Sequence, residues 1–242
     1  MSKLLNSVDK VIINLPSRKD RRLGLLEEFK KHKIENFRWF DAKQKSDSGC
    51  VLGTGSPVEK AVAASHCMAA ISSPYPKIVM EDDIRFTYLH HYERFFSSID
   101  ELLFSAPSDL DVLQMDLVIE HYTYYRRRTK SNLFLPWQIG MWSSAMNYYS
   151  ESGIEKIRSW SKDNKWDLRF CKRTISDRFL FEHLNSYSLT LPIGSQEEGE
   201  ESKSDILVSD RKTLLHKKSK KFVDDLWELY GIDFISKLSD AI

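Results

Sequence analysis

Short apolar runs alternate with polar, periodic segments along most of the chain, and residues 9–42, "DKVIINLPSRKDRRLGLLEEFKKHKIENFRWFDA", show the repeating unit. Val11-Ile12-Ile13 is a continuous apolar run, as expected of a strand buried on both faces. Ser17 followed by Asp20 predicts a helix start with an acidic residue in its first turn. Leu23, Leu26 and Phe29 then recur at three-residue spacing and predict the buried face, opposite Glu27, Lys30 and Lys31. Phe37 to Phe40 form an aromatic second strand. A strand, a crossover helix and a second strand together predict a parallel pair.

The pattern continues downstream. Residues 43–55 are polar and rich in Gly and Ser, which predicts a loop. A helix opens at Ser56 with Pro57 in its first position and Glu59 completing a capping box, and it ends before Pro74. A strand begins at Lys77, and residues 111–119 and 138–150 predict two more. "ESGIEKIRSW" and "ISDRFLFEHLNS" read as helices, "YSLTLPI" as a late strand, and "GSQEEGEESKSD" as a polar loop. From Ser219, a candidate N-cap, the residues Phe222, Leu226, Leu229 and Tyr230 predict a last amphipathic helix stopped by Gly231. The whole reads as one α/β domain, residues 1–210, with a helical C-terminal extension, residues 211–242.

Composition narrows the class. The 242 residues supply ample length for a core, and Lys+Arg 36 against Asp+Glu 35 argues against a general nucleic-acid binder. The first residues hold no long apolar stretch with a cleavage site, and no apolar run approaches the length of a membrane span. Three cysteines, Cys50, Cys67 and Cys171, lack a C-x-x-C pair, which fits reduced thiols in a cytoplasmic protein. Two basic patches, "YYRRRTK" (124–130) and "RKTLLHKKSKK" (211–221), would allow peripheral contact with an anionic membrane surface or an anionic acceptor, although most such runs are solvated faces.

The chemistry concentrates at "KIVMEDDIRF", residues 77–86. Glu81, Asp82 and Asp83 follow the apolar run Ile78-Val79-Met80, so they fall at the carboxyl end of a strand, where open α/β sheets bind ligands. Oxygen-only ligands suit a hard cation such as Mg2+ or Mn2+, whose shell is completed by water and phosphate oxygens. The alternative is a solvated acidic turn.

These pieces, in order, resemble glycosyltransferase family 25, the lipopolysaccharide-biosynthesis type. "VIINLPSRKDRR" is similar to the family's opening strand and arginine-rich turn, "FRWFDA" to its second strand, "ASHCMAA" to its Ser-His helix and "KIVMEDDIRF" to its Glu-Asp-Asp strand end. "MWSSAMNYYSESGIEKI" and "ISDRFL" are similar to later segments, so the likeness runs over residues 10–206. One departure is that Ala61 and Val62 stand where the family has Gly-Cys.

The resemblance implies a GT-A-like, Rossmann-like nucleotide-sugar-binding fold, with a mixed sheet flanked by helices. It implies a metal-dependent transfer of a sugar from a nucleotide donor, UDP-linked, to a hydroxyl of a glycan, lipid-linked or protein-linked acceptor, with inversion. Asp83 and Glu81 are then the expected metal ligands. Asp82, Asn14, Leu15, Pro16, Arg18, Arg21, Asp41, Ser65 and His66 are the expected donor-binding residues, with Arg18 placed ahead of Arg21. Asp177 is the expected base, with Asp116 in reserve, and one of Trp137, Trp142, Tyr148 and Tyr149 is expected to touch sugar. Each has a plainer reading: Asp41 and Asp177 as caps, Ser65 bonded to a carbonyl one turn back, His66 as a packed core residue. A metal-dependent phosphohydrolase or nucleotidyltransferase, or a non-catalytic nucleotide-binding domain, is the alternative function.

Overall fold

A computed structural model describes residues 1–120, 122, 132–163, 165–196 and 210–239. Seven strands form the central sheet: β1 (Asp9–Asn14), β2 (Phe37–Asp41), β3 (Lys77–Glu81), β4 (Val112–Gln114), β5 (Phe134–Pro136), β6 (Met146–Tyr149) and β7 (Ser186–Leu189). Five helices matter here: α1 (Lys19–His32), α2 (Pro57–Ala70), α3 (Glu151–Ser159), α4 (Ser176–His183) and α5 (Asp210–Ser239). The strand order is β2-β1-β3-β6-β4-β7-β5. β1 is parallel to β2 and β3, while β6 is antiparallel to both β3 and β4, and β7 is parallel to β4. The protein is therefore an α/β protein with a mixed sheet. Because β6 runs against its neighbours, its first residues lie at the same edge as the carboxyl ends of β1, β3 and β4.

Strand alternation divides the apolar residues between two layers. Ile12, Ile78, Leu113 and Tyr148 face one core with Leu25 and Phe29 of α1 and Phe222, Leu226 and Trp227 of α5. Val11, Ile13, Val79, Val112 and Tyr149 face the other with Ala63, Ala64 and Cys67 of α2, Ile154 of α3 and Phe179 of α4. Both layers bury aliphatic side chains at roughly 25 cal/mol per Å², the main source of cohesion.

Several expectations need correction. Leu23 and Leu26 are 63% and 37% exposed, and the buried face of α1 is Leu25 and Phe29. Spacing of four puts Arg21 on that same stripe, so the face that packs on the sheet also aims an arginine at its carboxyl edge. Arg18 precedes α1 without a side-chain cap bond. Residues 43–55 contain a 3-10 helix, Lys45–Cys50, and a two-residue strand, Val51–Leu52, that pairs with Lys165–Asp167. Residues 111–119 and 138–150 each break into two strands, and Val118–Ile119 forms a separate ladder with Met141–Trp142. The break in the second segment is at Ser143, whose φ of 102° is left-handed. β5 was not foreseen.

The last helix neither starts at Ser219 nor stops at Gly231. Ser219 lies inside α5 and its hydroxyl accepts from the Ile119 amide at 2.7 Å. A Cβ at Gly231 would lie 2.2 Å from the Trp227 ring, so the glycine makes room for that ring. Leu229 and Tyr230 are exposed, whereas Val223, Trp227 and Ile235 are buried. Trp227 stacks on Tyr88 at 5.5 Å and on His91 at 4.6 Å between ring centroids, and α5 thereby joins the main core. No helix among the described residues is long and apolar enough to cross a membrane. Residues 124–130 lie outside the described residues.

Candidate active site

The three carboxylates stand where β3 ends: Glu81 is its last residue, and Asp82 and Asp83 form the following turn. Asp82 and Asp83 are both 6% exposed. Unshielded, such a group would pay a large desolvation cost, so their partners decide what the site can hold.

Asp82 is held from β1 and α1. Asn14 Nδ2 donates to its Oδ2 at 2.6 Å, and Arg21 Nη1 to its Oδ1 at 3.0 Å. The same Arg21 nitrogen lies 3.4 Å from Asp83 Oδ2. Among the described residues, Asp83 Oδ1 is buried with no hydrogen-bond partner, and so are Arg21 Nε and Nη2. Burial raises the Asp82 carboxyl, against the opposing pull of Asn14 and Arg21. Burial, with the charges of Glu81, Asp82 and Asp116 outweighing Arg21, pushes Asp83 up to about 7.

Glu81 is held from the other side. His66 Nε2, on α2, lies 2.9 Å from Glu81 Oε1, and Ser144 Oγ lies 3.1 Å from the same oxygen. Burial alone would raise the Glu81 carboxyl, but the hydrogen bond and charge of His66, with Ser144 and Arg21, outweigh it and hold the group below its usual value. Ser144 Oγ also lies 2.8 Å from Asp177 Oδ1 and 3.0 Å from Ser176 Oγ, both at the start of α4. Burial and the Glu81 charge raise Asp177.

Asp116, two residues past β4, is 2% exposed and accepts from Ser143 Oγ at 2.5 Å. Burial pushes it up to about 7 despite that bond. The left-handed Ser143 is fixed by Gln114, whose Nε2 donates to the carbonyls of Trp142 and Ser143 at 2.8 and 2.7 Å. Non-glycine residues in this region cost about 1–3 kcal/mol and concentrate at functional sites.

Of the expected donor-binding residues, Asn14, Arg21, Asp82 and His66 therefore converge on the carboxylate cluster. Arg18 instead pairs with Asp20 at 2.9 Å, and Arg21 is the arginine that meets the carboxylates. Leu15 is half-buried, and Pro16 and Asp41 are exposed at the same sheet edge. Ser65 bonds back to Ala61 O at 2.8 Å and accepts from Lys43 N at 2.8 Å, its plainer reading. His66 is 1% exposed and meets Glu81. The Arg22 guanidinium sits 4.4 Å above the Trp39 ring. Tyr148 and Tyr149 belong to the two cores, while Trp137 and Trp142 are half-buried and meet edge to face at 6.3 Å. Cys50, Cys67 and Cys171 are free thiols.

Sequence reasoning missed Ser143, Ser144, Gln114 and Ser176. The available signal was the Ser-Ser pair in "MWSSAMN", polar residues interrupting an apolar stretch.

Among the described residues, no three His, Cys, Asp or Glu side chains converge as a ready-made metal cage. The orphaned, buried Asp83 Oδ1 fits a site of one or two protein carboxylates completed by phosphate and water, the usual arrangement for Mg2+. No protein-family model matches the chain, and no curated protein matches it.

Proposed function

We propose that this protein is a metal-dependent glycosyltransferase with a GT-A-like fold, moving a sugar from a nucleotide donor, UDP-linked, to a hydroxyl of a glycan or glycoconjugate. The observation that carries the reading is the carboxylate cluster at the sheet's carboxyl edge. Glu81, Asp82, Asp83, Asp116 and Asp177 gather there, with Arg21 and His66 bonded to members of the group, and Asp83 Oδ1 has no hydrogen-bond partner among the described residues. So many buried carboxyl groups, most of them raised by burial and by one another, are a poor way to build a turn and a good way to bind a cation. The ordered resemblance to glycosyltransferase family 25 supports the same reading.

Asp83, with Glu81, would hold Mn2+ or Mg2+. The ion, when bound, supplies electrostatic stabilisation of the departing diphosphate, a contribution of several kcal/mol. Asn14 and Arg21 orient Asp82 and oppose the burial that raises its carboxyl, and Asp82 in turn is the candidate acceptor for a ribose hydroxyl. Leu15, Pro16, Arg18 and Asp41 form the rim where base and ribose would pack. Asp177 is the better base of the two candidates because it is half-buried, whereas Asp116 is nearly sealed. A raised carboxyl pKa suits the task, since it makes the carboxylate a stronger acceptor of the hydroxyl proton. The deprotonated acceptor oxygen attacks the anomeric carbon as the nucleoside diphosphate leaves, inverting the centre. Trp142, adjoining Ser143, is the candidate sugar platform.

Calorimetric titration with UDP, GDP and CMP, with and without Mn2+, tests the proposal. One nucleotide is expected to bind only with the metal, and to lose that binding in Asp83→Asn. If no nucleotide shows metal-dependent binding, the transferase reading is wrong.

A further inference from the structure

The Ser144 hydroxyl has three polar neighbours but a single proton. It touches Glu81 Oε1 at 3.1 Å, Asp177 Oδ1 at 2.8 Å and Ser176 Oγ at 3.0 Å. A hydroxyl donates once and accepts up to twice. Two carboxylates therefore compete for one proton, and whatever already satisfies one of them decides where it goes.

His66 is that deciding group. Its Nε2 lies 2.9 Å from Glu81 Oε1, the same oxygen that Ser144 approaches. An ionised carboxylate only accepts, so Nε2 carries the hydrogen. Nδ1 is buried without a partner among the described residues, and the imidazole is 1% exposed, which leaves Glu81 as its one polar contact among them. With Glu81 Oε1 already served by His66, Ser144 turns its proton to the nearer carboxylate, Asp177, and accepts from Ser176.

We propose that Ser144 is a positioning residue that couples the two halves of the site, and that His66, which contacts no substrate, sets its direction. In this arrangement the chain runs from Ser176 through Ser144 to Asp177, while His66 holds Glu81. Without the His66 donor, the Ser144 proton swings to Glu81, and Asp177 keeps its Ser144 backbone bond but loses the hydroxyl bond. The consequence for chemistry rests on the transferase reading, in which Glu81 lies on the donor side and Asp177 on the acceptor side. The network itself does not.

The test is carboxyl 13C NMR of Asp177 in the full-length protein, assigned with Asp177→Asn and recorded in a cycle of variants. His66→Ala is expected to shift the Asp177 signal, and His66→Gln, whose amide nitrogen reaches the Nε2 position, to restore it. His66→Asn, whose amide reaches only the Nδ1 position, should behave like His66→Ala and serves if the alanine variant does not fold. In the Ser144→Ala background, His66→Asn should leave the Asp177 signal where Ser144→Ala alone puts it. An Asp177 signal unmoved by His66→Asn in the presence of Ser144 overturns the proposal. So does an equal shift with and without Ser144, which would mean direct electrostatics rather than a hydroxyl. Neither readout needs metal or nucleotide, so loss of the transferase reading in calorimetry would leave this result standing.

Discussion

Asp83→Asn should stabilise the metal-free protein while abolishing metal-dependent binding. The Asp83 carboxyl rises from 3.8 in the unfolded chain to about 7 in the fold, through burial first and then through Glu81, Asp82 and Asp116. The folded state thus binds more protons than the unfolded one between those values, and stability falls as pH rises through that window. At about 1.4 kcal/mol per pKa unit, the loss has a ceiling of about 4 kcal/mol for a shift from 3.8 to about 7. The realised figure is smaller, on the order of 1–2 kcal/mol, because Asp116 is raised by the same surroundings and each group relaxes when the other is neutral. Asparagine forfeits only the 3.4 Å contact to Arg21, which keeps its 3.0 Å bond to Asp82. Urea denaturation of both proteins in chelator, near pH 5 and near pH 8, reads the effect. The variant should be the more stable near pH 8, and the gap should narrow near pH 5. A variant less stable than the parent near pH 8 would refute the reasoning and make Asp83 a well-paired structural anion.

Other outcomes follow from the same geometry. Arg21→Ala removes the guanidinium bonded to Asp82 and in contact with Asp83, and should cost about 3 kcal/mol near pH 8 and less near pH 5, again by denaturation. Arg18→Ala breaks a solvent-facing pair with Asp20 and should cost less than about 1 kcal/mol by the same denaturation measurement. Gly231→Ala drives a methyl into the Trp227 ring and should lower stability by about 1–3 kcal/mol, with a change in tryptophan fluorescence as α5 lifts. Lys10 is pulled down from 10.5 to about 8 by burial, so the fold binds fewer protons than the unfolded chain in that window and stability should rise with pH there. Lys10→Met should flatten that rise when urea midpoints at about pH 7.5 and about pH 10 are compared.

Local signals in the sequence carried much of the architecture. Val11-Ile12-Ile13 and Ile78-Val79-Met80 are uniformly apolar because each strand is buried on both faces, and that alone marks them as interior strands. The capping box at Ser56 and Glu59 is a contact between residues three apart, so four letters suffice to place the start of α2. Three carboxylates after an apolar run likewise marked the carboxyl edge of the sheet. Tertiary structure decided the rest. Leu23-Leu26-Phe29 and Leu25-Phe29 are equally good helical spacings, and only the sheet beneath α1 selects the second and thereby delivers Arg21 in place of Arg18. Gly231 reads as a helix stop until Trp227 fills the space beside it. The Ser143 and Ser144 side-chain contacts with Asp116, Asp177 and Glu81 join residues 27 to 63 positions apart in the chain: Ser144 meets Asp177 and Glu81 only because β6 is inserted antiparallel between β3 and β4. Strand order is set by the packing of whole layers, and no short window of sequence contains it.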